Sequence, residues 1–182
     1  MFHFSHNLQG RQFLNQGQLD ILLRANRQVA SKKPGEAARL FAQLATEMEA
    51  TDHQRRAANF HALAAHSFVD AQDEKRALAH AQSALHLFIE YQMVRRIGNF
   101  YPNIIEKLRT HNMLQSIATL QEEFGEKIGA LPAPAQTIEP INKDRLPVVC
   151  PKCGAPVHST DVNWIDDQGA ECIYCGSVLQ IV

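Results

Sequence analysis

Four cysteines constrain the fold of this chain more than any other feature of its sequence. They form two Cys-x-x-Cys pairs, Cys150 with Cys153 and Cys172 with Cys175, and the chain contains no other cysteine. Two such pairs separated by eighteen residues suit a tetrahedral metal site, because each pair contributes one edge and a β-hairpin brings the second edge across. The pattern therefore predicts one metal ion held by four thiolates.

A glycine follows the second cysteine of each pair, at Gly154 and Gly176. Glycine adopts positive φ without steric cost, and this conformation turns backbone amides toward the sulfur atoms. Because thiolates fill all four positions of the predicted centre, no position remains for water or a substrate. The sequence therefore indicates a structural metal rather than a catalytic one.

Residues 146–182, with their two Cys-x-x-Cys-Gly motifs, resemble the zinc-ribbon family. The resemblance implies a small β domain that folds around one structural Zn²⁺ ion, and we favour zinc. A rubredoxin-like iron site is the chemical competitor, because it also uses two such motifs, and iron would indicate an electron carrier. A redox-active dithiol is a third interpretation, but two matched pairs fit a shared metal better.

Between about Gln18 and Ile128 the chain contains six segments whose apolar residues recur at helical spacing. Short breaks, such as Lys32-Lys33-Pro34-Gly35, separate these segments. The pattern predicts six helices arranged as three antiparallel hairpins. Pro102 lies inside the fifth segment, so this helix either begins there, with proline in its first turn, or kinks there.

The helical segments repeat at about forty residues, as the match of Phe60 with Phe100 illustrates. Small residues recur in the second helices in rows that resemble those of tetratricopeptide repeats (TPR): Ala37-x3-Phe41-x2-Leu44 and Ala77-x3-Ala81-x2-Ala84. The Trp-x2-Leu-Gly-x2-Tyr start of that family is absent, so the resemblance is to a degenerate repeat. We expect a mainly α fold, a TPR-like α-solenoid of antiparallel helical hairpins, with a small C-terminal β zinc-ribbon domain. A plain six-helix bundle is the alternative.

This organisation divides the chain into an N-terminal arm at 1–16, a helical repeat domain at 17–131, a linker at 132–147 and the zinc ribbon at 148–182. The linker holds four of the eight prolines. Proline-rich segments act as extended spacers, so the ribbon is free to stand away from the helices or to fold back on them. Ile138 and Ile141 are the expected points of docking.

Six arginines lie in the predicted first helices of the hairpins: Arg24, Arg27, Arg55, Arg56, Arg95 and Arg96. The pairs at 55–56 and 95–96 recur at the forty-residue offset near helix starts, where cations oppose the helix dipole. Repeat arrays bind partners on the face built from first helices, so one interpretation is a clamp for an acidic peptide or tail of another protein. A solvated charged surface is the other interpretation, and it is the commoner one for such residues.

The predicted ribbon has the wrong charge for a nucleic-acid surface. Within 146–182, Lys152 faces four acidic residues, which gives a net charge of −3. Phosphate contacts require several lysines or arginines. Trp164 and Tyr174 would allow stacking on bases, but contact with the core or with a partner protein is the favoured role of Trp164. Nucleic-acid binding in transcription or RNA metabolism is therefore the second hypothesis.

No motif for nucleotide binding, hydrolysis or a histidine-based metal site occurs, and we do not expect an enzyme. The first residues lack the basic and apolar regions of a signal peptide, and no apolar run is long enough to span a membrane. We therefore expect a cytoplasmic protein with reduced thiols. The leading hypothesis is a non-enzymatic adaptor or scaffold that binds another protein, and the exposed end helices of a short array leave room for self-association.

Overall fold

The structure is a computed structural model, and it describes residues 14–131, 146–159, 162–164 and 169–181. Most of the predicted arm lies outside these residues. The expected docking points Ile138 and Ile141 in the linker also lie outside them.

Six helices follow one another along the described part of the chain, as the apolar spacing predicted. They are α1 (Gln16–Ala30), α2 (Pro34–Ala50), α3 (Gln54–Asp70), α4 (Glu74–Glu90), α5 (Val94–Thr110) and α6 (Leu114–Gly129). Each helix packs against the next in hairpin-like contacts, and α3 also packs on α5, as α4 does on α6. The second and third hairpins therefore lie side by side, first helix on first helix and second on second.

The five turns between these helices share one conformation. Each contains a residue with φ between 52° and 60°, at twenty-residue intervals: Lys32, Asp52, Gln72, Gln92 and Asn112. In the first turn, the amide of Lys33 donates to the carbonyl of Gln28 over 2.9 Å, and the amide of Lys32 donates to that of Val29 over 3.0 Å. The same two bonds recur in all five turns, and they define the Schellman motif that ends a helix.

Alanines recur every twenty residues where the helices meet. Ala37, Ala57 and Ala77 are buried, and their small side chains let neighbouring helices approach closely. Larger side chains, such as those of Phe68 and Phe88, fill the remaining space between the helices. Full burial of one such phenylalanine contributes about 2 kcal/mol to the free energy of unfolding.

Pro102 lies well inside α5, because this helix begins at Val94. The alternative in which the helix starts at the proline is therefore wrong. Proline has no amide hydrogen, so the carbonyl of Gly98, four residues earlier, receives no helical bond from it. Both residues are exposed, and an unpaired carbonyl costs less free energy there than in a buried core.

The C-terminal part of the chain contains a small antiparallel sheet. Its strands are β1 (Asn163–Trp164), β2 (Gly169–Glu171) and β3 (Val178–Gln180), in the order β1-β2-β3. An isolated bridge joins Val149 to Pro156 ahead of the sheet. We call residues 146–181, as far as they are described, the cysteine module.

A single cluster of buried side chains includes both the helices and the cysteine module. The module therefore folds back on the helices. None of the described helices has both the length and the apolar character needed to cross a lipid bilayer.

Candidate metal centre

The four cysteines converge in the cysteine module, and all four are buried. The sulfur atoms of Cys150 and Cys175 are 3.7 Å apart, and those of Cys153 and Cys172 are 3.8 Å apart. A tetrahedron with metal–sulfur bonds of about 2.3 Å has edges of about 3.8 Å. A disulfide requires about 2.05 Å. The donor set therefore fits one four-coordinate metal ion.

Two turns of the same geometry, one for each cysteine pair, hold these sulfurs; we call them the first and second knuckles. Gly154 has φ of 70° and Gly176 has φ of 78°. The amide of each glycine donates over 2.8 Å to the carbonyl of the first cysteine in its pair, Cys150 or Cys172. The positive φ predicted for both glycines is confirmed.

The crowding of four sulfurs has an electrostatic consequence. Interaction with Cys153, and with the other two cysteines, lowers the pKa of Cys150, whereas interaction with Cys150 raises the pKa of Cys153. The hydroxyl oxygen of Ser177 also lies within hydrogen-bond distance of the cage, 3.3 Å from the sulfur of Cys150 and 3.0 Å from that of Cys175. Four buried negative charges require a cation among them, so a divalent ion would stabilise the fully deprotonated cage.

Helix α1 contacts the first knuckle. The side-chain amide of Asn26 donates to the backbone carbonyl of Cys153 over 2.8 Å. The side chains of Asn26 and Leu23 also border Gly154, since a Cβ atom added there would lie 4.0 Å from each.

Helix α3 contacts the second knuckle. A guanidinium nitrogen of Arg56 lies 3.7 Å from a carboxylate oxygen of Glu171, and the two side chains are only 15% and 23% exposed. The same guanidinium covers Gly176, where an added Cβ atom would stand 2.5 Å from its Nη2 atom. No other residue type fits beneath Arg56 without moving it.

Burial lowers the pKa of Arg56, while the negative charges of Glu171, Cys175 and Cys172 oppose this effect. Arginine remains charged in proteins because its ordinary pKa is so high. Arg56 therefore brings a partly desolvated positive charge to the second knuckle.

Two further residues of α3 extend this contact. The ring of Phe60 lies 6.2 Å from the ring of Tyr174, centroid to centroid. The side-chain amide of Asn59 lies 3.4 Å from the carbonyl oxygen of Ile173, to which it donates. Arg96 of α5 donates to the Oδ1 atom of Asn59 over 3.0 Å and so fixes the orientation of that amide.

A cavity of about 180 Å³ lies between α3, α5 and the cysteine module. Its walls include Arg96 and Phe100 on α5 and His158 and Tyr174 on the module. The first helices of the second and third hairpins, α3 and α5, therefore lie beside the module.

The six arginines proposed as a partner surface fall into two groups. Arg24, Arg27 and Arg55 are exposed, and the described residues offer them no ion pair. Arg95 is half-buried. Arg56 and Arg96 instead contact groups of their own chain, Glu171 and Asn59.

Trp164, also proposed as a partner contact, is half-buried in β1. Its indole nitrogen donates to the carbonyl of Ser159 over 3.2 Å, and its ring packs against the buried cluster. Part of its surface is therefore already used within the chain.

Asn26, Asn59 and Ser177 were not identified from the sequence. The two asparagines lie in helices and contact residues more than a hundred positions away, so no local pattern marks them. Ser177 directly follows the second knuckle glycine, and a hydroxyl beside a cysteine pair is a signal that could have been used.

Within the described ranges, the four cysteines form the one group of three or more metal-binding side chains that is close enough to hold an ion. Comparison of the chain with known protein families, with curated proteins and with solved structures finds no match. The proposed function therefore rests on the residues of the site itself.

Proposed function

We propose that this protein is a non-enzymatic adaptor, in which a TPR-like helical array binds another protein and a zinc ribbon with one structural Zn²⁺ ion completes the fold. The observation that carries this proposal is the closed cage of four buried sulfurs. Four thiolates fill a tetrahedral zinc ion, so water and substrate have no place in it. A metal of this kind contributes to folding rather than to chemistry.

The helical part supports the repeat assignment through its turns. Five identical helix ends at twenty-residue spacing indicate one structural unit used repeatedly, and stacked hairpins of this kind present first helices on a common face. In the proposed array α1, α3 and α5 form that face.

The exposed arginines support an acidic partner. Arg24, Arg27 and Arg55 lack acidic partners among the described residues, so carboxylates of another protein would meet unpaired cations there. Complementary charges speed association and select the partner more than they raise affinity. An acidic peptide or tail is therefore the proposed ligand.

Elemental analysis of the freshly purified chain tests the metal assignment. We expect one zinc ion per chain, and we expect Cys153→Ser to abolish stoichiometric binding. One iron ion per chain, with visible absorption, would instead support an electron carrier. A metal-free chain whose cysteine module remains folded in the presence of a chelator would contradict the structural role of the ion.

A labelled peptide of alternating glutamate and tyrosine tests the partner surface. We expect binding that weakens about fivefold, or about 1 kcal/mol, in Arg24→Glu. Lys75→Glu is the matched control, because Lys75 is an exposed cation on the second helix α4. Equal affinity of both variants and the unchanged chain would contradict an acidic-peptide site on first helices.

A further inference from the structure

Two different helices hold the two knuckles of the metal centre. Asn26 on α1 binds the carbonyl of Cys153, whereas Arg56 on α3 covers Gly176. We call the surface made by Asn26, Arg56, Asn59 and Phe60 the α1/α3 face. The cysteine module covers this face in the structure.

The metal site is the element that ties the knuckles to each other. With an ion in the cage, the knuckles form one rigid body, so contact with one helix places the other knuckle beside its own helix. Once one knuckle is docked, the other knuckle has a high effective concentration beside its own helix, so the two contacts reinforce each other. Without an ion, each contact would have to form alone and would bear the full entropic cost of ordering its own segment.

We propose that the cysteine module is a metal-dependent latch on the α1/α3 face, closed when the ion is bound and open when it is lost. This inference rests on the proposed metal site and deepens the proposed adaptor function, because it names what controls access to Arg56 on the first helix α3, while Arg24, Arg27 and Arg55 are exposed with the module docked. The contacts of Asn26 and Arg56 couple metal binding to the docking of the module.

The chemistry of the latch specifies what fits the open face. Glu171 offers a carboxylate to Arg56, Tyr174 offers a ring to Phe60, and backbone carbonyls accept from the two asparagines. A competing partner therefore presents an acidic residue and an aromatic residue on an extended segment. Such a segment and the module exclude each other.

Coupling between two events is reciprocal. If the bound ion favours the docked module, then the docked module must favour the bound ion, so helix residues that touch no sulfur influence metal affinity. Outer residues of metal sites typically change affinity by about 10- to 100-fold. The neighbouring residues Arg55 and Arg56 provide a matched pair, since Arg55 is exposed and Arg56 is covered.

Competition with a chromophoric chelator, using Co²⁺ and then Zn²⁺ on the full chain, measures this effect. We expect Arg56→Gln and Asn26→Ala to weaken metal affinity by about tenfold, while Arg55→Gln changes it less than twofold. Circular dichroism checks that the helices of each variant are intact. Equal affinities for all four proteins would overturn the proposal.

Chemical modification of the unchanged chain gives a second measurement that does not depend on variants. Phenylglyoxal modifies exposed arginines, and mass spectrometry reports each site. We expect Arg56 to be protected in the metal-loaded chain and to react at the rate of Arg55 after chelation under reducing conditions. Alkylation of all four cysteines in a parallel sample establishes that the ion has left.

Protection of Arg56 that persists after the ion has left, with the helices intact, would overturn the latch. The outcome is separable from that of the adaptor hypothesis. Release of Arg56 on chelation together with no binding of the glutamate–tyrosine peptide would support the latch and contradict the partner. Peptide binding with a persistently protected Arg56 would support the acidic partner and contradict the latch.

Discussion

The guanidinium of Arg56 lies directly over Gly176, so close that a Cβ atom on that glycine would stand 2.5 Å from Nη2. Gly154 occupies the same position in the first knuckle, with a similar φ, but its nearest neighbours would lie 4.0 Å from an added Cβ. The two knuckles therefore share a backbone and differ in what covers them. This difference provides an internal control.

We expect Gly154→Ala to lower the free energy of unfolding by about 1 kcal/mol, the cost of positive φ for a residue with a Cβ atom. Gly176→Ala should cost more, because it also displaces Arg56 from Glu171. Denaturant titration of the metal-loaded chain measures both losses. In an Arg56→Ala background the two substitutions should become equivalent; a persistent difference would show that Arg56 is not the cause.

The turn conformation supports a second prediction. Gln92 has φ of 52° and is exposed, and its side chain makes no hydrogen bond to another described residue. We expect Gln92→Gly to raise the free energy of unfolding by about 0.5–1 kcal/mol, because glycine adopts this conformation without steric cost. Thermal unfolding measures the gain.

A glycine placed one residue earlier serves as the control for Gln92→Gly. Tyr91 has φ of −92°, so Tyr91→Gly gains nothing from relief of positive φ and should lower stability. A loss of stability in both variants would show that the turn at Gln92 is not strained.

The sequence predicted those features whose causes are local. Helical spacing of apolar residues marked the six helices, and the spacing of four cysteines marked the cluster that could hold a metal ion. The positive φ residues were missed, because Lys32 and Gln72 are not residues that usually adopt this conformation. Their conformation is imposed by the paired hydrogen bonds of the helix end and by the packing of the next helix.

The docking of the cysteine module was left open by the sequence for a related reason. Asn26 and Cys153 are 127 positions apart, and neither residue belongs to a pattern that identifies the other. A contact of this kind depends on the three-dimensional arrangement of several helices. The position of the arginines in the predicted first helices led us to them as partner contacts, but it did not distinguish Arg55, which is exposed, from Arg56, which meets Glu171.

Replacement of the proline inside α5 gives a third prediction. Pro102→Ala restores an amide that can donate to the carbonyl of Gly98, and alanine also has a higher helix propensity. We expect the free energy of unfolding to rise by about 1–3 kcal/mol. Asn103→Ala, next to it on the same exposed stretch, isolates the propensity contribution and should gain less than 1 kcal/mol. Equal gains in the free energy of unfolding for the two variants would show that the missing hydrogen bond to the Gly98 carbonyl is not costly.

The final prediction concerns pH and His66, whose ring lies nearly perpendicular to that of Phe100, with the ring centroids 5.3 Å apart. Burial lowers the pKa of His66 to about 4, the cations Lys107 and Arg96 act in the same direction, and Asp70 opposes them. The ordinary pKa is 6.5. Between these two values the unfolded chain binds a proton that the folded chain does not, so stability falls as pH falls from about 6.5 to about 4.

The loss attributable to His66 is at most about 3 kcal/mol, because each unit of pKa difference corresponds to about 1.4 kcal/mol. His80 shows the same direction, since burial and the nearby His61 lower its pKa to about 4. The difference between the unchanged chain and His66→Phe therefore isolates one group, and phenylalanine keeps the aromatic contact with Phe100. Urea titrations from pH 4 to pH 8 should give parallel curves above pH 7 and a shallower decline for the variant below pH 6.5. Curves that stay parallel throughout would mean that His66 has the same pKa in the folded and the unfolded chain, and would contradict the lowered value.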